Sequence, residues 1–362
     1  MIQKLAKVDD EFHHCSSKLF AKMDLSYMEA YSLMASIMDG RLSPVQISSI
    51  LSSLRLKGES PEEIAGFSQA MLDKANRIHY SGKNPLIDIV GTGGASFKTF
   101  NVSTTTSLLM PSLGVSVAKH GNRSSTSKSG SADLLEALGI NIAMDPQTSE
   151  KCLNQIGVTF MFAPKFHPAM KQVVPVRKEL GFRTIFNLLG PLTNPCGVDR
   201  QLTGVYDPKL LKPIAESLRE RGYKRVSLVH SNLGADEITN VGTTLVTELN
   251  EDRISTYTVS ARDFGLKEGN PNSIKNIEAE KAAEECIKIL LGQPTEKRDF
   301  VIVNGSMALK VAGMVEDLKE GAVMVEDALD STRAIDILEQ FVKLSGGYEE
   351  KFNAIIEKIG RS

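Results

Sequence analysis

The sequence predicts an α/β protein: a small all-helical domain plus a large α/β domain with a mainly parallel central sheet flanked by helices. Three observations carry this. Residues 1 to about 80 read as helices with start and stop signals and contain no strand-like run. From Leu86 onward, short apolar runs alternate with helical stretches, the pattern of a sheet covered on both faces. The first two runs each feed a loop suited to anions, one rich in glycine and one in hydroxyls and cations.

The helical part contains three short amphipathic units. Ser26-x-x-Glu29 is a capping box, followed at helical spacing by Ala30, Leu33, Met34, Ile37 and Met38, with Gly40 as a stop. Ser43-Pro44 starts a second helix with Ile47, Ile50, Leu51 and Leu54 on one face and Gly58 at its end. Ser60-Pro61-x-Glu63 starts a third, with Ile64, Phe67 and Met71 inward. The strand candidates are LIDIV (86–90), VSVAK (115–119), VTFMFA (158–163), LTGVYD (202–207), RVSLVH (225–230) and FVIVN (300–304). Pro111 and Pro175 fall inside apparent helices, where the ring removes a backbone donor. Residues 167–190 form a second helical patch without an intervening strand. The expected division is a helical domain over 1–82, completed by 164–195, and an α/β domain over 83–163 and 196–362.

Composition narrows the function classes. With 41% hydrophobic residues and 24% charged, the chain reads as ordinary globular protein. A net charge of −2 gives no global attraction to nucleic acid or to an anionic membrane. No run approaches the length of a membrane span, and the N-terminus shows no signal peptide pattern. Cys15, Cys152, Cys196 and Cys286 lack metal or redox spacing and read as free thiols in a reducing cytoplasm. His13-His14-Cys15 reads as solvated surface, since adjacent residues rarely converge on one ion.

The glycine loop Gly91-Thr92-Gly93-Gly94 is not a Walker loop and fails GxGxxG, because Ser96 stands at the third glycine position. What remains is a strand, a sharp turn and a helix start at Asn101-Val102-Ser103-Thr104. That is either a tight connection or an anion cradle of backbone N–H groups and helix dipole. The second loop, Lys119 to Ser131, holds three cations, two glycines and six hydroxyls. Two such loops after successive strands suit a ligand with two phosphate groups. Asp236-Glu237 follows a later strand; hard oxygens there suit Mg²⁺ held by carboxylates and substrate phosphates, and Ser103 offers a hydroxyl.

Taken together, DIVGTGGxxxxTFNVST, VAKHGNRxxxSKSGSADLLEALG, FAPKFHPAMKQVVPVRKELGFRTIFNLLGPLTNP and GADEIT closely resemble the anthranilate phosphoribosyltransferase family, from about residue 20 to about 345. The resemblance implies a nucleoside-phosphorylase-type fold and a homodimer formed through the helical domain. It implies transfer of the phosphoribosyl group of phosphoribosyl pyrophosphate (PRPP) to the amine of anthranilate, a step of tryptophan biosynthesis. It places Gly91, Gly94, Ala95, Thr99, Asn101, Val102, Ser103, Thr104, Lys119, Ser127 and Ser131 on donor-binding positions. Ser103, Asp236 and Glu237 fall on metal positions for Mg²⁺. Gly91, His120, Asn122, His167 and Arg177 fall on the anthranilate side, and Lys119, Asn122 and Arg177 are the expected catalytic residues. An arginine fork suits a carboxylate. The family's glycine loop usually continues GTGGD; here Ala95 removes that carboxylate, and Lys98 adds a cation nearby. Two other readings are a pyrimidine nucleoside phosphorylase on the same fold and a non-catalytic nucleic-acid-binding paralogue. KHGNR and PVRKELG argue against the first, and the near-neutral charge and the acidic pair against the second.

Overall fold

Four helices open the chain in a computed structural model that describes residues 2–124 and 128–360, with side chains from residue 10 onward. They are α1 (Ile2–Phe20), α2 (Tyr27–Met38), α3 (Pro44–Lys57) and α4 (Pro61–Asp73). Ser26, Ser43 and Ser60 cap the last three, each in a reciprocal capping box with Glu29, Gln46 or Glu63. These signals are local, so they are readable without the rest of the chain. Helix α1 was not among the anticipated units. It buries Cys15 and Leu19 while His13 and His14 stay exposed, so the expected solvated His-His-Cys surface is corrected at its cysteine.

The large domain holds one seven-stranded sheet in the order β3-β2-β1-β4-β5-β6-β7. The strands are β1 (Leu86–Gly91), β2 (Ser116–Gly121), β3 (Val158–Phe162), β4 (Arg200–Gly204), β5 (Arg225–Ser231), β6 (Thr243–Asn250) and β7 (Arg253–Ser260). β1 to β5 pair in parallel; β6 and β7 complete the edge antiparallel. From β1 the chain winds outward one way through β2 and β3, then returns to lay β4 and β5 on the other side. The carboxyl end of β1 is therefore a topological switch point, where neighbouring loops diverge and leave a crevice.

Two strand readings differ from the structure. FVIVN lies inside the helix Arg298–Ala312, which is buried on nearly every side. A helix without a polar face has no amphipathic period, so a short apolar run within it is indistinguishable from a buried strand. The β6–β7 hairpin was not anticipated, although Thr244, Val246 and Val259 are buried and several intervening residues are not. Pro111 and Pro175 cause no kink, because each stands in the first turn of its own short helix.

The 164–195 segment packs against the N-terminal helices on one side of the sheet. Phe166, Val173, Val176, Ile185 and Leu189 share a buried cluster with Leu33, Leu51 and Phe67 of the N-terminal helices. Backbone bonds from Asn76 N–H to the Phe166 carbonyl (2.8 Å) and from Ile78 N–H to the Pro195 carbonyl (3.4 Å) tie the two crossings together.

Candidate active site

A cleft of about 890 Å³ opens over the carboxyl end of β1, between the α/β domain and the 164–195 segment. The glycine loop enters it because Gly93 and Gly94 take φ of +66° and +80°, values that side chains disfavour. Gly204 ends β4 beside it. A Cβ there would lie 1.5 Å from the Asp236 carbonyl oxygen, so only glycine lets the acidic loop cross this close.

That crossing brings the acidic pair to the glycine loop. Gly93 N–H donates to Asp236 Oδ2 (3.1 Å), and Thr99 Oγ1 donates to Glu237 Oε2 (2.8 Å). Burial pushes the Asp236 carboxyl up from its usual value. Burial, then the charge of Asp236, pushes Glu237 well above the usual carboxylate range. The charge of Lys98 opposes both shifts. Two crowded carboxylates, with the Ser103 hydroxyl lining the same cleft, are an incomplete set of hard oxygen ligands. A divalent cation there would relieve their repulsion, and the rest of its shell would come from phosphate oxygens and water. The donor set fits Mg²⁺.

The second loop supplies positive charge. Lys119, on β2, is buried, and its Nζ donates to the Ile89 carbonyl (2.6 Å). Burial lowers its pKa to about 8, against the pull of Asp88 and Glu237. Asn122 and Ser131 line the same wall, and Ser131 Oγ donates to the Asn122 carbonyl (3.1 Å). Arg123 folds back on Glu136 and Asp133 instead, and Asp133 also accepts the N–H groups of Ser124 and Gly130. One carboxylate thus clasps both ends of the hydroxyl-rich loop.

The opposite wall is drier. His120 and His167 are buried with ring centroids 5.0 Å apart, and His120 Nδ1 lies 3.1 Å from the Gly190 carbonyl oxygen. Burial drives their pKa values down to about 3 and about 4, so both rings are neutral. Neither Nε2 has a hydrogen-bond partner among the described residues. Arg177 stands over the Phe186 ring at 5.6 Å, and burial alone lowers its pKa. It makes no ion pair with the described residues. An uncompensated, partly desolvated guanidinium beside an aromatic face is matched to an aromatic carboxylate.

The cleft thus gathers Gly91, Gly94, Thr99, Asn101, Ser103 and Thr104 from one loop and helix α5 (Val102–Leu109). From the other elements it takes Lys119, His120, Asn122, Ser131, His167, Arg177, Asp236 and Glu237. Ala95 and Val102 are buried behind it rather than lining it. Ser127 lies outside the described residues. Phe186, Asn187 and Thr193 also line the cleft and were not singled out by sequence. They sit in or just beyond the apolar 167–190 patch, where only the fold tells a wall from a core.

A helical bundle beside an α/β domain, with an anion-suited cleft at the switch point, defines a class of group-transferring enzymes acting on phosphorylated sugars. Accordingly, residues 83–335 match the model described as "Glycosyl transferase family, a/b domain" and residues 15–75 the "helical bundle domain". An anthranilate phosphoribosyltransferase of Caldanaerobacter subterraneus subsp. tengcongensis is 45% identical over 329 residues, covering 91% of this chain and 96% of that protein. The crystal structure of the Thermus thermophilus enzyme of that name superposes with a TM-score of 0.86 at 39% identity, over 91% of this chain and 99% of its own. The Saccharomyces cerevisiae enzyme in complex with PRPP and Mg superposes with a TM-score of 0.83 at 27% identity, over 92% and 98%. The chain belongs to the anthranilate phosphoribosyltransferase family.

Proposed function

We infer that the chain transfers the phosphoribosyl group of PRPP to the amine of anthranilate, releasing pyrophosphate, in tryptophan biosynthesis. The observation that carries this is the lining of one cleft: acidic, hydroxyl and cationic groups are gathered there with Arg177, which makes no ion pair among the described residues. The glycine loop and the start of α5 hold the pyrophosphate, and the Lys119–Ser131 loop holds further donor oxygens. Ser103, Asp236 and Glu237 would hold Mg²⁺, which when bound would neutralise charge on the pyrophosphate leaving group.

The chemistry needs little from a base. The anomeric C–O bond breaks with its electron pair leaving on pyrophosphate, a C–N bond forms from the amine lone pair, and the nitrogen releases its extra proton to the departing pyrophosphate or to water. Charge builds on the leaving group, so fixed cations and N–H donors supply the main stabilisation. Lys119 and Lys98 serve there. Arg177 binds the anthranilate carboxylate, Phe186 flanks the ring, and neutral His120 and His167 with Asn122 offer uncharged hydrogen-bonding groups to the acceptor. Holding the amine near the anomeric carbon then replaces a rare encounter by a positioned one.

The helical unit, 1–82 with 164–195, closes on the α/β domain during turnover and forms the homodimer interface. Exposed Phe20, Met28, Val45 and Leu56 on its surface support that interface. Unpaired Cys15, Cys152, Cys196 and Cys286 suit the cytoplasm, and among the described residues no helix is long and apolar enough to cross a membrane. The test is loss of anthranilate fluorescence, which is expected to require both PRPP and Mg²⁺. Consumption without PRPP, or none with both present, refutes the assignment.

A further inference from the structure

Asp88 sits in the middle of β1, an interior strand flanked by β2 and β4, and is fully buried. A carboxylate in such a place is costly, and it persists only where hydrogen bonds and an opposite charge compensate its burial. Its contacts account for its presence. Oδ2 accepts a hydrogen bond from Asn194 Nδ2 (2.7 Å), and Oδ1 accepts the backbone N–H of His120 (3.3 Å). The same Asn194 Nδ2 also donates to the Ala118 carbonyl (2.8 Å), and Asn194 Oδ1 accepts Cys196 N–H (2.9 Å). Asn194 ends the segment that walls the acceptor side, one residue after Thr193, which lines the cleft. Among the charges that hold Lys119 protonated against burial, Asp88 contributes most.

We propose that Asp88 is a positioning residue for the transfer reaction: from inside the sheet it anchors Asn194, and so the end of the acceptor wall, to the strand that presents Lys119 and His120. It touches no substrate. It fixes the distance between the segment that carries Arg177 and the β2 residues that face the donor. Because Asn194 stands next to Pro195, whose carbonyl accepts Ile78 N–H, the anchor also lies at the place where both chain crossings meet. The proposal rests on reading the cleft as a phosphoribosyltransferase site.

The test compares the unaltered chain with Asp88→Asn, Asp88→Leu and Asn194→Ala. Each is assayed for kcat, for KM of anthranilate and of PRPP, and for melting temperature. Asp88→Asn is expected to raise the anthranilate KM about tenfold, the worth of one hydrogen bond to a charged group, with a smaller change for PRPP. Asp88→Leu is expected to lose activity and to melt lower, because it leaves the His120 N–H and the buried Lys119 cation without their partner. A purely structural carboxylate predicts the same loss of stability with unchanged constants for the folded enzyme. The proposal is overturned if the Asp88 variants keep all three constants within about twofold. Should the Asp88 variants not fold, Asn194→Ala removes the same anchor from the other side and is judged by the same limits. Absence of anthranilate consumption by the unaltered chain overturns the transferase reading itself, a separate result.

Discussion

Replacing Arg177 by alanine isolates acceptor recognition. The guanidinium is partly buried, stacks over Phe186 at 5.6 Å, and has a pKa lowered by burial alone. Desolvation without a counter-charge means the free enzyme already carries that cost, and the anthranilate carboxylate relieves it on binding. A hydrogen bond to a charged group contributes about 1.5–3 kcal/mol, so kcat/KM for anthranilate is expected to fall about 10- to 150-fold. The PRPP KM, set on the opposite wall, is expected to stay within about threefold. Stability should change little, because the lost stacking, about 0.5–1 kcal/mol, is offset by removal of an unpaired charge. Arg177→Lys keeps the charge without the fork and is expected to fall between parent and alanine variant. The measurement is initial rate by anthranilate fluorescence, varying each substrate at saturation of the other. Equal losses for both substrates would refute the acceptor-side assignment.

Three further outcomes are expected. Asp236→Asn with Glu237→Gln should abolish activity with an unchanged circular dichroism spectrum, and Mg²⁺ should no longer raise the melting temperature. A double variant that remains active and Mg²⁺-dependent removes the metal role. Burial lowers His120 to about 3 and His167 to about 4 from 6.5. The unfolded chain therefore takes up protons first, so stability is lost as pH falls from about 6.5 toward 4. His120→Asn should flatten that loss; a slope of melting temperature against pH equal to the parent's counts against a buried neutral ring. Ala95→Asp should make the rate more sensitive to Mg²⁺ by placing a carboxylate behind the glycine loop, where Lys98 now supplies positive charge. Superimposable Mg²⁺ titrations would show that position 95 does not act on the metal.

Much of this molecule is local and so was legible in the sequence. The serine caps of α2, α3 and α4 need only residues three apart, and the strand–glycine–helix turn after β1 needs only backbone freedom. The long motifs around Gly91, Lys119, Arg177 and Asp236 carried the family resemblance for the same reason. Other features depend on what surrounds a segment. FVIVN is helical because neighbours bury the whole circumference of Arg298–Ala312, which erases the period that would have marked it. The meeting of Gly93 and Thr99 with Asp236 and Glu237 depends on β1 and β4 lying side by side, which no local pattern specifies. Asp88 reads in sequence as one polar residue in an apolar run. Only the fold brings Asn194 and His120 to its two oxygens, because hydrogen bonds across so long a stretch of chain become geometrically possible only after the sheet has set the register.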